Sequence, residues 1–313
     1  MGEPRDVLKL EDVDEPAARD GHVLIDVDAA ALNFPDVLLL RGQYQEKPPL
    51  PFTPGLEVAG RRVDNGDAVI ALAGLPDGGL AERVSVHESS VLPAPPSLTA
   101  GEAAALPITY HTGWFALHHR THLDAGETLL VHAGAGGVGS AAIQLGKAAG
   151  ARVIATAGGP AKVKTCLDLG ADVGIDYNAE DFVEVVKAET NGGGADVIYD
   201  PVGGDVFDKS RKCIAYNGRL LVIGFTSGRF PEAPANHVLI KNYAVIGVHW
   251  GLSRRKEPHL LHEIHDALTA LADAGHIKPL LGDDVPFDGD VPGALEALAS
   301  RKTVGKIVVT RRD

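Results

Sequence analysis

A glycine-rich turn between an apolar run and an alanine-rich run constrains the fold of this chain more than any other feature. Residues 134–139 read GAGGVG and match the pattern G-x-G-x-x-G. Residues 128–132 before the turn have the composition of a strand, and residues 137–150 after it carry apolar side chains at helical spacing. A strand, this turn and a helix together form a pyrophosphate-binding unit, so the sequence predicts a dinucleotide site and hydride-transfer chemistry.

The residues of the turn have separate roles in this prediction. Gly134 permits the tight turn out of the strand, Gly136 admits the pyrophosphate close to the backbone, and Gly139 lets the helix pack on the sheet. Gly137 and Val138 open the helix, whose free N–H groups and partial positive charge attract phosphate. A glycine-rich turn without a ligand is the alternative interpretation. A phosphate-binding P-loop fits less well, because Gly139 stands where that motif has lysine.

The order of the predicted elements indicates the fold class. Strands and helices alternate from residue 128 to residue 248, which is typical of a parallel sheet covered on both faces. The segment before them is rich in Pro and Gly with short β-type runs, and the tail, which ends in a predicted strand at 306–310, resembles it. We therefore predict an α/β protein in which a doubly wound parallel sheet, residues 117–251, is inserted in a mostly β domain of residues 1–116 and 252–313.

Composition and charge exclude several classes of protein. The net charge of −13 argues against general binding to nucleic acid or anionic membranes, and no apolar run is long enough to cross a bilayer. Residues 1–11 are charged and lack the apolar core of a signal peptide, so we expect a cytoplasmic protein. Cys166 and Cys213 are too few for a structural zinc site and are expected to be reduced thiols. Histidines at helical spacing near 111–119 and 259–265 are expected to be solvated or capping side chains rather than metal ligands.

The end of the second predicted strand indicates which dinucleotide binds. NAD-binding units usually carry Asp or Glu about twenty residues after the glycines, where it accepts a hydrogen bond from the ribose 2′-OH. Here residues 155–159 read ATAGG, without an acid, and Lys162 follows. Because a lysine attracts a 2′-phosphate that a carboxylate would repel, the sequence favours NADPH. An exposed helix lysine is the alternative interpretation of Lys162.

Motifs along nearly the whole chain resemble one family. The matching segments are Asn33-Phe34-Pro35-Asp36, Arg41-Gly42-Gln43-Tyr44, residues 54–60 (PGLEVAG), Thr112-Gly113-Trp114, the glycine turn, residues 200–204 (DPVGG), Gly218-Arg219, Gly224-Phe225, residues 300–302 (SRK) and Gly305-Lys306. The chain thus resembles the zinc-independent quinone oxidoreductases, the zeta-crystallin-like branch of the medium-chain dehydrogenase/reductase superfamily. The resemblance implies a GroES-like β domain and a Rossmann domain, with the active site in the cleft between them.

The resemblance also implies which residues form the site. They fall into three groups: the 2′-phosphate pocket (Gly158, Lys162, Tyr177 and Arg301), the positions near the nicotinamide (Asn33 and Thr112), and the loop that borders its ring (Gly224 and Phe225). The zinc ligands of the zinc-dependent relatives are missing, because no Cys precedes Cys166 and the Gly-His-Glu motif of those relatives is Gly55-Leu56-Glu57 here. We therefore expect no metal and no alcohol dehydrogenase mechanism with metal-polarised oxygen.

The chain departs from the family pattern in three places, all in the half that binds substrate. It lacks the usual first strand, and it is shorter between Gly60 and Gly66 by roughly a β-hairpin. Leu38 stands where the family has a tyrosine near the substrate pocket. We therefore expect a trimmed β domain with an altered, more open pocket.

The predicted reaction is hydride transfer from NADPH to a quinone or an α,β-unsaturated carbonyl. Positioning would be the protein's main contribution, since the cofactor carries the chemistry. Tyr44 is the candidate proton donor or pocket hydroxyl, with a packing aromatic as the alternative. Asn33 is a candidate for positioning ribose or substrate, with a turn-capping role as the alternative. Two other functions stay open: a 2-enoyl thioester reductase, in which Tyr44 would protonate the α-carbon, and a nucleotide-binding protein with little catalysis.

An apolar run at residues 243–248 (YAVIGV) is typical of an edge strand of the dinucleotide-binding sheet. An exposed edge strand is prone to pair with another chain. We therefore predict a homodimer that pairs through Tyr243 to Val248, as in the family that the chain resembles. The other predicted partner is a small-molecule quinone or enone, with no nucleic acid and no membrane.

Overall fold

The computed structural model describes residues 1–17 and 19–311 of the chain. The strands are β1 (His22–Ala31), β2 (Glu57–Arg62), β3 (Ala68–Leu72), β4 (Arg83–His87), β5 (Val91–Pro93), β6 (Thr128–Val131), β7 (Arg152–Ala157), β8 (Val173–Asp176), β9 (Ala195–Asp200), β10 (Ile214–Val222), β11 (Ala244–Gly247), β12 (Leu281–Pro286) and β13 (Lys306–Thr310). The α-helices are α1 (Pro4–Val7), α2 (Phe34–Leu40), α3 (Ala100–Ala104), α4 (Leu106–Trp114), α5 (Gly137–Ala148), α6 (Pro160–Asp168), α7 (Phe182–Glu189), α8 (Gly204–Ser210), α9 (Ala235–Lys241), α10 (Trp250–Lys256), α11 (His259–Asp273) and α12 (Val291–Ala299). These elements form two compact units, residues 1–108 with 278–313, and residues 109–277.

The second unit is built on a parallel sheet. Its strands, as far as the chain is described, follow the order β11-β10-β9-β6-β7-β8. The chain runs outward from β6 in one direction and from β9 in the other, which is the doubly wound Rossmann order. The predicted fold of this part is therefore confirmed. Because β6 and β9 are neighbours, their carboxyl ends mark the switch point where such sheets bind their ligands.

The first unit is built on a mixed sheet with the order β12-β13-β1-β2-β3-β5, in which β4 also pairs with β1. β12 and β13 are parallel, whereas β1 pairs antiparallel with β2, β4 and β13. These strands carry fully buried side chains, Ile25, Val58 and Ile70 among them. The last strand of the chain thus lies in the same sheet as the first.

The domain bounds predicted from the sequence, 116/117 and 251/252, differ from the bounds of these two units. Both predicted bounds fall inside the second unit, to which most of α4 and all of α11 belong. Ring contacts explain the difference. His111 on α4 lies 5.9 Å from Trp250 on α10 and 5.8 Å from His265 on α11, measured between ring centroids.

The two segments where the sequence departs from the family have simple local structures. Near the N-terminus, the short helix α1 is tied to α12, because Arg5 pairs with Asp290 at 2.7 Å and Glu296 at 2.9 Å. Residues 60–62 end β2, and residues 63–67 form the tight connection of the β2–β3 hairpin, closed by a bond from Gly66 N to Arg62 O. Throughout the described part of the chain, no helix has the length and apolar composition needed to span a membrane.

A fully buried histidine joins three elements of the second unit. His132 follows β6, and its Nδ1 lies 3.0 Å from Thr156 Oγ1 on β7, while its Nε2 lies 2.8 Å from Ser210 Oγ on α8. Ser210 Oγ donates to Val206 O, so it accepts the hydrogen of Nε2, which leaves Nδ1 of the neutral ring to accept from Thr156 Oγ1. Burial lowers the pKa of His132 to about 3.

We expect acid to destabilise the fold through this histidine. Its pKa is about 3 in the folded chain against an ordinary value of 6.5. Its contribution to the unfolding free energy is therefore complete above pH 6.5 and declines as the pH falls below that value. The decline amounts to about 1.4 kcal/mol per pH unit. Between pH 7 and pH 5 the wild type should therefore lose about 2 kcal/mol more unfolding free energy than a His132→Gln variant, measured by urea unfolding. Other titrating groups are present in both proteins and cancel, so an equal loss in both would contradict the assignment.

Candidate active site

The glycine turn of the second unit leads from β6 directly into α5. Gly134 N donates to Thr156 O on β7, and Gly136 N donates to Ala133 O, both at 2.9 Å. A Cβ on Gly139 would lie 2.2 Å from Ala133 O, which is backbone that cannot move aside. Any other residue at position 139 would therefore push the first turn of α5 away from the loop.

The same turn fits the pyrophosphate of a dinucleotide. A Cβ on Gly136 would meet only Ala133 O, at 3.3 Å, so the space in front of this glycine is open on its other sides. Helix α5 begins at Gly137 and has no acidic side chain in its first turn. The first N–H groups of a helix have no partner inside it, and they carry a partial positive charge. These donors suit an anionic group placed over Gly136.

Gly158 and Tyr177 are brought together at the end of β7. A Cβ on Gly158 would lie 2.5 Å from Tyr177 Oη, so the phenol of this residue, which follows β8, lies directly against the glycine. Lys162 lies in the first turn of α6, which begins two residues after Gly158. The structure thus places three of the four predicted 2′-phosphate residues on adjoining segments of one unit.

A carboxylate that the sequence interpretation missed lies beside them. Asp176, the last residue of β8, accepts hydrogen bonds on Oδ1 from Gly159 N at 2.9 Å and Asn178 N at 3.0 Å. It therefore holds the loop in front of α6 through backbone donors. An Asp placed at the end of a strand and before a turn is the signal that could have revealed it.

The loops after β9 and β10 are bonded to each other. The backbone N–H groups of residues 226 and 227 donate to the carbonyls of residues 201 and 202, at 3.1 and 2.9 Å. A Cβ on Gly203 would lie 3.0 Å from Phe225 Cδ1, so the two loops are in close contact. Gly224 and Phe225, predicted to border the nicotinamide, are therefore held next to the carboxyl end of β9.

The Asp200 carboxylate anchors the first of these loops, the one after β9. Its Oδ1 accepts from Val202 N at 2.8 Å and from Gly203 N at 2.9 Å, and its buried Oδ2 has no hydrogen-bond partner within the described residues. Burial raises the pKa of Asp200 to about 6, against the two backbone bonds. The sequence interpretation used this residue only as part of a matching motif. The structure gives it a role in shaping the loop at the switch point.

Thr112 lies on α4, which packs closely against α5. A Cβ on Gly113 would lie 2.8 Å from Leu145 Cδ1, so the glycine lets the two helices approach. Thr112 is partly exposed. Its position near a nicotinamide stays a prediction.

The predicted residues of the first unit are Asn33, Tyr44 and Arg301. Asn33 is buried and directly precedes α2, Tyr44 is partly exposed in the loop after α2, and Arg301 follows α12 with a φ of +59°. Arg301 and Lys162 belong to different units, and their shared role at a 2′-phosphate stays a prediction.

A buried polar cluster surrounds Asn33, and the sequence interpretation missed it. Lys306 Nζ donates to Asn33 Oδ1 at 2.6 Å and to Glu57 Oε1 at 2.7 Å, and all three residues are nearly inaccessible to solvent. Asp36 Oδ2 accepts from Asn33 N at 2.8 Å, and its Oδ1 accepts from Gly55 N at 3.1 Å. Burial raises the pKa of Asp36 to about 6, although both backbone bonds oppose this. Each charge stands out in the sequence, because Glu57 leads into Val58 and Ala59 and Lys306 leads into the apolar residues 307–309, but no local pattern shows that the two pair.

No metal centre can be assembled from the residues that the structure describes. They contain no group of three or more His, Cys, Asp or Glu side chains placed to hold a metal ion. Leu56, at the position of the histidine in zinc-dependent relatives, has no ligating atom.

Both units match known sequence families. Residues 19–96 match the alcohol dehydrogenase GroES-like domain, and residues 137–266 match the family described as zinc-binding dehydrogenase. The chain is 38% identical over 302 residues to the quinone oxidoreductase-like protein 2 homolog of Nematostella vectensis, an alignment that covers 93% of this chain and 82% of that protein.

Solved structures resemble the chain over almost its full length. The quinone oxidoreductase of Thermus thermophilus, whose structures include a complex with NADPH, is 35% identical with a TM-score of 0.83, over 96% of this chain and 95% of that one. The CurK enoyl reductase is 28% identical with a TM-score of 0.87, over 99% of this chain and 97% of that one.

Proposed function

Since the chain belongs to the quinone oxidoreductase branch of the medium-chain dehydrogenase/reductase superfamily, we propose that this enzyme uses NADPH to reduce a quinone or an α,β-unsaturated carbonyl without zinc. The observation that carries the choice of cofactor is the end of β7, where Gly158 lies against Tyr177 and Lys162 follows in the first turn of α6. β7 ends in Ala157 rather than in a carboxylate, so nothing on this strand would repel a 2′-phosphate. The NADPH complex of the Thermus relative supports the same choice.

In the proposed reaction, bound NADPH supplies the hydride. The start of α5 would hold the pyrophosphate, and Phe225, which lies against the Asp200-anchored loop after β9, would limit the position of the nicotinamide. Tyr44 is the proposed proton donor to an enone, and Thr112 is proposed to lie near the nicotinamide. A quinone needs no protein acid, because the reduced oxygens take their protons from water. The zinc-free proposal is supported by Leu56, which has no ligating atom, and by the absence of any Cys before Cys166 in the sequence.

A 2-enoyl thioester reductase is the second candidate. The likeness to the CurK enoyl reductase over nearly the full chain supports this second candidate. In that case Tyr44 would deliver its proton to the α-carbon of the thioester.

Steady-state kinetics over a panel of acceptors test the proposal. Rates are measured with NADPH and with NADH against quinones, enones and crotonyl-type thioesters. We expect turnover of quinones or enones with NADPH preferred. Turnover of thioesters alone would favour the second candidate, and NADPH binding without turnover of any acceptor would favour a nucleotide-binding protein.

We also propose a homodimer that pairs through β11. This strand lies at one end of the sheet with Ala244 and Gly247 exposed, and α9 before it exposes Leu239 and Ile240 at 80% and 79%. An open strand edge beside exposed apolar side chains is a surface that a second subunit would cover. Two buried, unlinked thiols, Cys166 and Cys213, support a reducing compartment such as the cytoplasm.

Light scattering at micromolar concentration should give twice the mass of one chain. A Leu239→Asp, Ile240→Asp double variant should be monomeric, because two carboxylates would have to be buried in the interface. Leu167→Asp, at a 44% exposed position on α6, is the matched control and should stay dimeric. A monomeric wild type would refute the proposal.

A further inference from the structure

A cavity of about 460 Å³ lies beside the C-terminal end of α8, in the second unit. Its volume is typical of sites that bind small molecules. One wall is the end of α8 with the turn into β10, and the other is the segment that precedes α9. Helix α8 begins at Gly204, next to the loops of the switch point, and its seven residues span about 10 Å. The cavity therefore lies toward the opposite end of this helix from those loops.

Positive charge dominates the lining of this cavity, although the chain as a whole carries a net charge of −13. The lining has four basic and two acidic side chains: Lys209, Arg211, Lys212, Arg229, Asp208 and Glu232. Asp208 is shared between two of the bases, because its Oδ1 accepts from Arg211 Nη2 at 3.3 Å and its Oδ2 accepts from Arg229 Nη2. Arg229 and Lys209 also pair with acids outside the lining, so the charges of Arg211 and Lys212 are the least compensated.

Arg211 has the donors to hold an anion. Its side chain is 16% exposed, and within the described residues one of its five N–H groups has a partner, Asp208 Oδ1. Its buried Nε has none there. Lys241 Nζ fixes the backbone of this turn, because it donates to Arg211 O at 3.3 Å and to Lys212 O at 3.1 Å. A guanidinium with unused parallel donors suits a pair of phosphate oxygens.

Two further buried polar atoms in this corner also lack partners in the described part of the chain. They are Nδ1 of His237 on α9 and Oη of Tyr243, which is 5% exposed, and the two rings lie 5.8 Å apart between centroids. Burial lowers the pKa of His237, and the positive charges of Arg211 and Lys241 lower it further. Buried polar atoms without partners are costly, so three of them around one guanidinium indicate a polar group that the chain itself does not supply.

The other wall supplies an apolar surface for the rest of a ligand. The Phe230 ring is 76% exposed and packs at right angles to Phe225, with 4.9 Å between centroids. This contact holds the ring at the cavity while most of it stays accessible. An exposed aromatic ring suits a planar group. An inorganic ion would use the basic corner and leave the rest of the cavity empty.

We propose that this cavity binds a phosphate monoester of a planar group, with the phosphate at Arg211 and Lys212 and the planar group on Phe230. Nucleoside monophosphates and aryl phosphates share this chemistry. The site lies apart from the glycine turn and does not depend on the reaction that the enzyme catalyses.

Isothermal titration calorimetry with phenyl phosphate tests the site. Wild type should bind one molecule per chain with a Kd below about 1 mM. Arg211→Gln should weaken binding by about tenfold to a hundredfold, because it removes a charge-assisted bond. Lys212→Gln should weaken it by up to about fivefold, and because Lys212 is exposed this variant tests the site even where Arg211→Gln fails to fold. Lys164→Gln, which removes an exposed charge from α6, should bind as the wild type does.

A second comparison tests the planar group. Phe230→Ala should weaken binding of phenyl phosphate by about fivefold and leave binding of inorganic phosphate unchanged. Tyr216→Ala is the matched control, because Tyr216 on β10 is 75% exposed and Phe230 is 76% exposed. Both ligands should bind this control as they bind the wild type. Equal effects of the two alanine variants would overturn the place assigned to the planar group.

Adenosine 5′-monophosphate distinguishes the two sources of the phosphate. Glu232 lines the cavity and can accept from a ribose hydroxyl or an amino group, which phenyl phosphate lacks. Tighter binding of the nucleotide identifies a nucleotide as the ligand, and Glu232→Ala should then remove the advantage. Equal or weaker binding of the nucleotide identifies an aryl phosphate.

Lys162→Ala is the control for the predicted 2′-phosphate pocket. Binding that is lost in this variant and kept in Arg211→Gln would place the phosphate in the dinucleotide site and overturn the proposal. Binding that is unchanged in every variant would overturn it as well, and so would no saturable binding of either phosphate ester. These titrations do not require turnover, so an absence of quinone and enone reduction would refute the proposed function without deciding this site.

Discussion

Replacement of Gly139 by valine is expected to lower NADPH affinity by at least about a hundredfold, which corresponds to about 2.7 kcal/mol. The new Cβ would lie 2.2 Å from Ala133 O and 2.9 Å from Gly134 Cα, both of which are backbone atoms. The first turn of α5 must therefore move, and its N–H groups move with it. Two misplaced bonds to phosphate, each of about 1.5–3 kcal/mol, account for a loss of this size. Isothermal titration calorimetry with NADPH measures it directly.

Gly251→Ala provides the matched control for this variant. A Cβ at that position, on α10, would approach only His249 Nε2, at 3.8 Å, so the substitution fits without strain. Its NADPH affinity should equal that of the wild type. Circular dichroism of the valine variant should show the same helix content, because only one turn is displaced. Wild-type affinity in the valine variant would show that α5 does not hold the pyrophosphate.

Lys162→Ala is expected to weaken NADPH binding by about tenfold to a hundredfold and to leave NADH binding nearly unchanged. The two cofactors differ only in the 2′-phosphate, so a side chain that pairs with this group affects one of them alone. The measurement is the Michaelis constant for each cofactor with the same quinone.

Lys164→Ala is the control for the loss of a positive charge on α6. Lys164 pairs with Asp168 one turn further along the helix, and its side chain is 74% exposed. Both cofactors should bind this variant as they bind the wild type. Equal losses for NADPH and NADH in Lys162→Ala would mean that this lysine does not recognise the phosphate.

The repeating part of the fold was predictable because it is encoded locally. Each strand and helix of the second unit carries its own periodicity, and the glycine turn marks where the first strand meets its helix. The residues at which individual helices and strands begin and end were less predictable. The sequence of residues 206–214 taken alone predicts a helix, but α8 ends at Ser210, because Ile214 already pairs with Ala195 of β9. Strand pairing between distant segments decided this bound, and it leaves no trace in local spacing.

The site was predictable only where one segment supplies it. The glycine turn and the missing acid after β7 are short motifs, so they could be recognised from the sequence. The cluster around Asn33 could not, because Glu57 is 24 positions from Asn33 and Lys306 is 273 positions away. Tertiary pairing of β1 with β2 and β13 brings these residues together.

The pairing of β13 with β1 also sets the order in which a newly made chain can mature. Residues 109–277 are all synthesised before β13, so the dinucleotide-binding unit can fold while the chain is still on the ribosome. The first unit must wait with one edge of β1 open, because Ala30 has no partner there until Val309 emerges. Lys306 arrives with the same strand, so the buried polar cluster around Asn33 is completed among the last steps of biosynthesis. A chain truncated before β13 would hold a finished cofactor unit beside an unfinished sheet.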